Sequence, residues 1–182
     1  MADVVTQGPP RHLVLVGMMG AGKTTVGEAV AARLDRRFAD SDELIEARTG
    51  RTVREIFEAD GEAAFRALET EALVEALDDH EPLVIAAAGG VVLRQANRDA
   101  LTRDDALVVW LQADPEVLAD RVEVGDHRPL LGDDPEAALR RLLPEREQWY
   151  AEVADEVVDT GGLPVDQVVD RIVALAGEAA RD

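Results

Sequence analysis

Residues 17–24 have the spacing of a loop that binds phosphate groups. They read Gly-Met-Met-Gly-Ala-Gly-Lys-Thr and fit the pattern G-x-x-x-x-G-K-[ST]. The glycines allow a tight turn in which successive backbone N–H groups point at phosphate oxygens, and the helix that follows adds its positive end. Lys23 can then reach the β- and γ-phosphates, and the Thr24 hydroxyl can coordinate Mg²⁺. The segment predicts a magnesium-nucleotide site, but it occurs in kinases, GTPases and ATPases alike.

Lys23 is the only lysine in the chain, and every other strong cation is arginine. Arginine is a planar fork, whereas lysine is a compact charge on a flexible stem. The single retained lysine therefore indicates a position that needs a flexible point charge.

Two aspartates stand at the end of the next predicted strand, Arg37–Asp40. Asp40 and Asp42 are two residues apart, so on an extended chain they point the same way. Ligands of open α/β sheets bind outside the carboxyl ends of the strands, and both side chains are expected on that side. The alternative is that Asp42 only caps the helix predicted to begin near Ser41.

These residues require strands and helices that alternate along the chain. Apolar runs and breakers predict strands at 13–16, 37–40, 83–87, 106–111 and 156–159, and helices at 23–34, 41–49, 52–61, 62–79, from 115, 135–153 and 164–176. Alternation of this kind predicts an α/β fold with a mainly parallel five-stranded sheet between two helical layers. Residues 123–136 lack periodicity and are predicted to form a mobile lid.

Composition limits the class of protein. The 182 residues suit one domain, at 12–182, preceded by a flexible tail at 1–11. The chain has no cysteine and no apolar run near the about 20 residues that span a bilayer, so a cytoplasmic protein is expected. The formal net charge of −19 argues against nucleic acid and anionic membranes as partners. Nothing resembles a coiled coil, so a monomer is expected.

Six motifs in order make the chain resemble the shikimate kinases from about residue 12 to 172. They are the loop 17–25, Phe38-Ala39-Asp40-Ser41-Asp42 with Ile45-Glu46, Ile56-Phe57 and Gly61-Glu62 with Phe65-Arg66 and Glu69, Gly89-Gly90 after a strand, Arg128-Pro129-Leu130-Leu131, and Arg146 with Tyr150. The resemblance implies a P-loop fold of the nucleoside-monophosphate-kinase-like type, with a helical substrate-binding insertion at about 41–70. It also implies transfer of the γ-phosphoryl group of MgATP to shikimate, which gives shikimate 3-phosphate.

The resemblance further implies a role for each matching residue. Thr24 and Asp40 would hold Mg²⁺, Asp42 would bind substrate hydroxyls and act as the base, and Gly89-Gly90 would approach the substrate ring. Arg66 and Arg146 would clamp the substrate carboxylate, and Arg128 would reach the phosphoryl group in transfer. ATP would contact Gly20, Ala21, Gly22, Lys23, Thr24, Thr25, Arg121 and Arg128.

Helical spacing offers a simpler interpretation of the two arginines. Arg66 could be a surface residue paired with Glu62 or Glu69, and Arg146 is flanked by Glu145 and Glu147. On the residues alone, a pair of surface ion pairs is the expected result.

Two positions depart from the family pattern. Ala88 stands where a third glycine is usual, which puts the substrate contact of that position in doubt. The stretch 159–164 lacks a basic residue near the adenine, so stacking there would rest on backbone and Pro164.

Two other functions remain open on the residues. A P-loop kinase for gluconate or a nucleoside monophosphate would have the same sheet and loop, although an aromatic content of 3% offers little for stacking a nucleotide acceptor. A nucleotide-binding regulatory module would be expected to lack Lys23, Asp42 or Arg128, and all three are present.

Overall fold

A computed structural model describes residues 12–122 and 134–179. These residues form five strands, β1 (His12–Val16), β2 (Arg37–Asp40), β3 (Leu83–Ala86), β4 (Ala106–Gln112) and β5 (Glu156–Asp159). The helices are α1 (Lys23–Leu34), α2 (Ser41–Thr49), α3 (Val53–Leu77), α4 (Gln95–Leu101), α5 (Pro115–Arg121), α6 (Pro135–Val153) and α7 (Val165–Ala179), with a 3₁₀ turn at Val91–Leu93.

The strands pair in parallel in the order β2-β3-β1-β4-β5. Leu13 to Val16 in the central strand are all buried, as are Leu83 to Ala86 beside them, because helices cover both faces of the sheet. The predicted α/β class and the predicted parallel sheet of five strands are therefore confirmed. The predicted tail at 1–11 and most of the lid at 123–136, including Arg128, lie outside the described residues.

Local sequence signals set several helix ends. Thr52 begins α3 with a reciprocal capping box in which it exchanges hydrogen bonds with Glu55, as the spacing predicts. Gly61 has a φ of 82° and interrupts that helix, which gives the predicted break between its two halves. Pro115 and Pro135 stand in the first turns of α5 and α6.

The sequence patterns predicted no helix in the segment between β3 and β4. It contains the 3₁₀ turn and α4, which are held together by two buried side chains. Asn97 donates to the carbonyl of Val91 at 2.8 Å, and Arg98 donates to the carbonyl of Val92 at 2.7 Å. This packing fixes the path of the chain as it leaves the turn at Gly89-Gly90.

No helix within 12–122 and 134–179 combines the length and the apolar character that crossing a bilayer requires.

Candidate active site

The phosphate-binding loop connects β1 to α1, at the carboxyl edge of the sheet. Gly17 and Gly20 have φ values of 142° and 85°, which favour glycine. A Cβ at either position would also lie 2.5 Å from a backbone carbonyl oxygen, that of Leu111 or Leu118. The loop therefore packs too closely on β4 and α5 for any side chain at these two positions.

Lys23 starts α1 and folds back over the loop. Its ammonium donates to the carbonyl oxygens of Gly17 at 2.9 Å and Met18 at 3.0 Å. Two cavities meet at this point, and the residues they share within the described chain are Lys23 and Thr24. A charge at this position can act on a group that passes from one cavity to the other.

Thr24 and Asp40 form the pair that was expected to hold a metal ion. The Thr24 hydroxyl donates to Oδ2 of Asp40 at 2.8 Å, so a hydroxyl and a carboxylate already share one place. No group of three or more potential His, Asp or Glu ligands occurs among the described residues. Mg²⁺ suits such a sparse set, because it keeps several waters and takes oxygens from substrate phosphates.

Asp42 does not lie on an extended strand end, and that part of the sequence argument is wrong. It lies in the first turn of α2, where its backbone N–H donates to Oδ1 of Asp40 at 2.9 Å. Asp40 is thus the cap, and the alternative role of Asp42 as the cap is also wrong. The Asp42 side chain lines the smaller cavity because the helical turn rotates it away from the cap.

The smaller cavity has a volume of about 120 Å³ and lies beside the phosphate loop. Its walls combine apolar side chains from the insertion with the charged groups discussed here and the backbone after β3. The lining residues are Met19, Lys23, Thr24, Asp40, Asp42, Val53, Phe57, Phe65, Arg66, Ala86, Ala87, Ala88, Gly89, Gly90 and Arg146. The structure therefore brings Asp42, Arg66, Gly89, Gly90 and Arg146 together, although they are up to about a hundred residues apart.

Arg66 pairs with both glutamates that its helical spacing predicts, but it does not lie on the surface. Its side chain is 9% exposed and donates to Glu69 at 2.9 and 3.1 Å and to Glu62 at 3.1 Å. The guanidinium also lies 5.4 Å from the centre of the Phe65 ring. A buried arginine in the wall of a cavity presents a fixed, planar cation to whatever binds there.

Glu69 is fully buried beneath that arginine. Burial raises its pKa from 4.5 to about 7, against the opposing effect of the Arg66 charge, and the nearby Asp42 adds to the rise. The folded protein therefore retains a proton on Glu69 at pH values where the unfolded chain has lost it. It follows that Glu69 stabilises the fold most below pH 4.5, and that this contribution is lost as the pH rises through 7.

Arg146 lies in α6 and also lines the smaller cavity. It is 2% exposed, whereas Glu145 and Glu147 beside it are exposed, so the alternative interpretation as a surface arginine is wrong. Its Nη1 donates to the carbonyl of Gly89 at 3.1 Å, and its buried Nε has no hydrogen-bond partner among the described residues. A buried guanidinium with unused donors favours an anionic ligand.

The turn after β3, at Gly89-Gly90, contacts the side chains of both arginines. A Cβ at Gly90 would lie 2.0 Å from Nη1 of Arg66, so glycine is needed there for the guanidinium to occupy its position. At Gly89 a Cβ would meet only ordinary contacts of 3.5 Å or more. Ala88 causes no strain, because Asp35 is the only described non-glycine residue with a positive φ. The N–H of Ala88 donates to the Ser41 hydroxyl at 2.8 Å.

The larger cavity, of about 400 Å³, lies on the other side of the phosphate loop. Residues 20–26 form one wall, which includes the predicted nucleotide contacts from Gly20 to Thr25. Arg121 forms part of the opposite wall and donates to the carbonyl of Thr160 at 2.6 Å and to its hydroxyl at 3.0 Å. Leu163 and Val165 line the cavity rather than the predicted Pro164. Apolar side chains beside a phosphate loop suit the base and sugar of a nucleotide.

Several residues that line these cavities were not predicted from the sequence. Val53 and Phe57 line the smaller one, and Thr160 and Val168 line the larger one. Thr160 follows β5 and Val168 lies in α7, and only the order of the strands brings them to the phosphate loop. Phe57 and Phe65 had a signal, because they lie on the apolar face of the predicted insertion helices.

Comparison with known proteins gives the family. The model of a family described as shikimate kinase matches residues 19–176, which is most of the chain.

The chain belongs to the shikimate kinase family.

Relatives support this assignment across nearly the whole length. A shikimate kinase of Burkholderia lata is 46% identical over 177 residues, which cover 95% of both chains. One of Halorhodospira halophila is 47% identical over 171 residues, which cover 93% of this chain and 96% of that one. The structure of the Acinetobacter baumannii shikimate kinase in complex with shikimate matches with a TM-score of 0.88 and 39% identity over 94% of both chains. The predicted family and fold are therefore confirmed.

Proposed function

We infer that this chain is a shikimate kinase, which transfers the γ-phosphoryl group of MgATP to the 3-hydroxyl of shikimate. The observation that carries the inference is the smaller cavity, where two buried arginines and a carboxylate face the end of the phosphate loop. Relatives named shikimate kinase, and a neighbour with shikimate bound, support the same substrate.

The two arginines suit the carboxylate of shikimate. Guanidinium groups bind carboxylates through paired N–H donors, and burial strengthens such bonds. Arg66 and Arg146 both meet the turn at Gly89-Gly90, since Arg66 lies against Gly90 and Arg146 donates to the Gly89 carbonyl. In this proposal the carboxylate lies between them, and the hydroxyls of the ring face Asp42 and Lys23.

The reaction is a direct displacement. The oxygen of the acceptor hydroxyl forms a bond to the γ-phosphorus, the bond to the β,γ-bridging oxygen breaks, and ADP leaves with the electron pair. Asp42 accepts a hydrogen bond from the hydroxyl and receives its proton as the new bond forms. Lys23 lies where the two cavities meet and stabilises the charge that develops on the phosphoryl oxygens.

The remaining groups bind the nucleotide. The larger cavity takes ATP, with phosphates on residues 20–25 and the base near Arg121. Thr24 and Asp40 would hold Mg²⁺, and a bound Mg²⁺ supplies charge that neutralises the phosphates. Arg128, outside the described residues, is assigned by family resemblance to the phosphoryl group in transfer.

We also propose that the chain acts as a monomer in the cytoplasm. The sequence contains no coiled-coil pattern, which supports the first statement. Light scattering of the purified protein and fractionation of cells would test the two statements.

An ADP-release assay tests the function directly. MgATP is offered with shikimate, gluconate, AMP or no acceptor, and ADP release is expected with shikimate alone. Asp42→Asn should lower kcat by about 100-fold or more, since a positioned base contributes about 10²–10⁴-fold. Glu43→Gln is the matched control, because Glu43 is the next residue of α2 and is exposed. Release with another acceptor, or with none, would refute the proposal.

A further inference from the structure

Tyr150 lies in α6, one helical turn beyond Arg146, and touches neither cavity. Its side chain is fully buried, and its ring stacks on Trp110 of β4 with centroids 5.6 Å apart. Burial raises the pKa of the phenol well above its usual value, so the hydroxyl remains a neutral donor at physiological pH. A phenylalanine would fill the same space, and the question is therefore what the hydroxyl does.

The hydroxyl contacts two loops. It donates to the carbonyl oxygen of Gly89, which also accepts the hydrogen bond from Arg146 at 3.1 Å. It also lies 3.5 Å from the sulfur of Met18 in the phosphate loop. One buried polar atom thus joins the turn beside the smaller cavity, here called the acceptor cavity, to the loop beside the larger one, the nucleotide cavity.

The two loops also pack directly on each other. The Cβ position of Gly89 lies 3.5 Å from the carbonyl oxygen of Gly17 and from the backbone nitrogen of Met19. The carbonyl of Met18 accepts the hydrogen bond from Lys23 at 3.0 Å. A shift of the phosphate loop on nucleotide binding would therefore move Gly89. The hydroxyl of Tyr150 contacts both this loop, at Met18, and Gly89.

We propose that Tyr150 is a positioning residue that couples the nucleotide cavity to the acceptor cavity, through its contacts with Gly89 and Met18. Nucleotide binding then changes the affinity for the acceptor, and the acceptor changes the affinity for nucleotide by the same factor. The inference rests on the proposed function, because it requires both substrates to bind this chain.

The test compares Tyr150→Phe with the unaltered protein by titration calorimetry. The dissociation constant of shikimate is measured with and without saturating MgADP, and the ratio of the two values is the coupling factor. The unaltered protein should give a factor different from one. The variant should move it towards one by about threefold to tenfold, which is the effect expected of one buried hydrogen bond.

Two further variants make the result specific. Trp149→Phe alters the next residue of α6, which packs on Arg98 at 3.9 Å, and should leave the coupling factor unchanged. Met18→Leu removes the sulfur but keeps the volume, and should shift the factor in the same direction as Tyr150→Phe; it carries the test if Tyr150→Phe does not fold. Equal factors in Tyr150→Phe and the unaltered protein, or a factor of one in the latter, would overturn the inference. Failure of the unaltered protein to bind shikimate at all would overturn the proposed function and the inference with it.

Discussion

Replacing Gly90 by alanine should displace one side chain of the acceptor cavity and leave the nucleotide cavity unchanged. The new Cβ would lie 2.0 Å from Nη1 of Arg66, and the rest of its surroundings includes the other guanidinium atoms at 2.4 and 2.6 Å. The backbone is not strained by the change, because Gly90 has a φ of −94°. Arg66 must therefore move.

The size of the effect follows from that displacement. To reach an ordinary contact of about 3.5–4.0 Å from the 2.0 Å of the new Cβ, the guanidinium has to retreat by about 1.5–2.0 Å. Arg66 would then lose its hydrogen bond to the substrate carboxylate, which is worth about 1.5–3 kcal/mol for a charged pair. That loss corresponds to an increase in KM for shikimate of about 10- to 150-fold.

Steady-state kinetics with both substrates varied would measure the change. KM for ATP should stay within about threefold, since Gly90 is not part of the nucleotide cavity. Gly162→Ala is the control for a lost glycine, because a Cβ there would meet nothing within 4 Å. In an Arg66→Ala background the Gly90→Ala change should have no further effect on KM for shikimate. Additive effects of the two changes, or an unchanged KM in Gly90→Ala alone, would refute the reasoning.

Three further outcomes are expected. The free energy of unfolding of the unaltered protein minus that of Glu69→Gln should fall by up to about 3 kcal/mol as the pH rises from 4.5 to 8, because the pKa of Glu69 is raised from 4.5 to about 7. Asp40→Asn should raise the Mg²⁺ concentration for half-maximal activity by about 10- to 100-fold, as measured in a metal titration at fixed ATP. An amine-directed reagent should modify one side chain, Lys23, and mass spectrometry should show that MgATP protects it.

Each of these has a control or an opposing result. Glu62→Gln removes the half-exposed partner of Arg66 and separates the loss of an ion pair from the loss of the buried acid. If the difference in the free energy of unfolding between Glu69→Gln and the unaltered protein stays constant across that pH range, burial does not raise the pKa of Glu69. An unchanged metal requirement in Asp40→Asn would exclude Asp40 from the Mg²⁺ site. Labelling of Lys23 at the same rate with and without MgATP would place the nucleotide elsewhere.

The sequence was sufficient to predict those features of the fold that depend on strong local signals. The phosphate loop, the capping box at Thr52 and the break at Gly61 each depend on residues within a few positions of one another. The segment 91–101 was missed because it is short and because two side chains, Asn97 and Arg98, hold its helices together through bonds to carbonyls six residues earlier. Contacts of this kind leave no periodic pattern.

Five residues predicted for the acceptor site, Asp42, Arg66, Gly89, Gly90 and Arg146, line one cavity, but their geometry was not predicted. Asp42 was placed by the two-residue period of a strand, and that period ends at Asp40, where the cap starts a helix. Helical spacing alone favoured a surface position for Arg66, against the clamp that the resemblance implied, because spacing does not show which side of a helix is covered. The role of Gly90 depends on the distance to a guanidinium 24 residues earlier in the chain, which only the folded structure gives.

The acceptor cavity also shows why a net charge of −19 does not exclude an anionic substrate. Most of the acids lie in exposed positions, where pairs such as Arg33 with Asp170 are open to solvent on both sides. The buried arginines and acids of the described residues are distributed differently. They are Arg66, Arg98 and Arg146 against the single acid Glu69, and two of these arginines line the acceptor cavity. Because a charge acts more strongly when it is removed from water, the two buried arginines contribute strongly to the local potential that the substrate meets beside Asp40 and Asp42. The position of each cation relative to solvent therefore decides what the site can bind, and the composition of the whole chain does not.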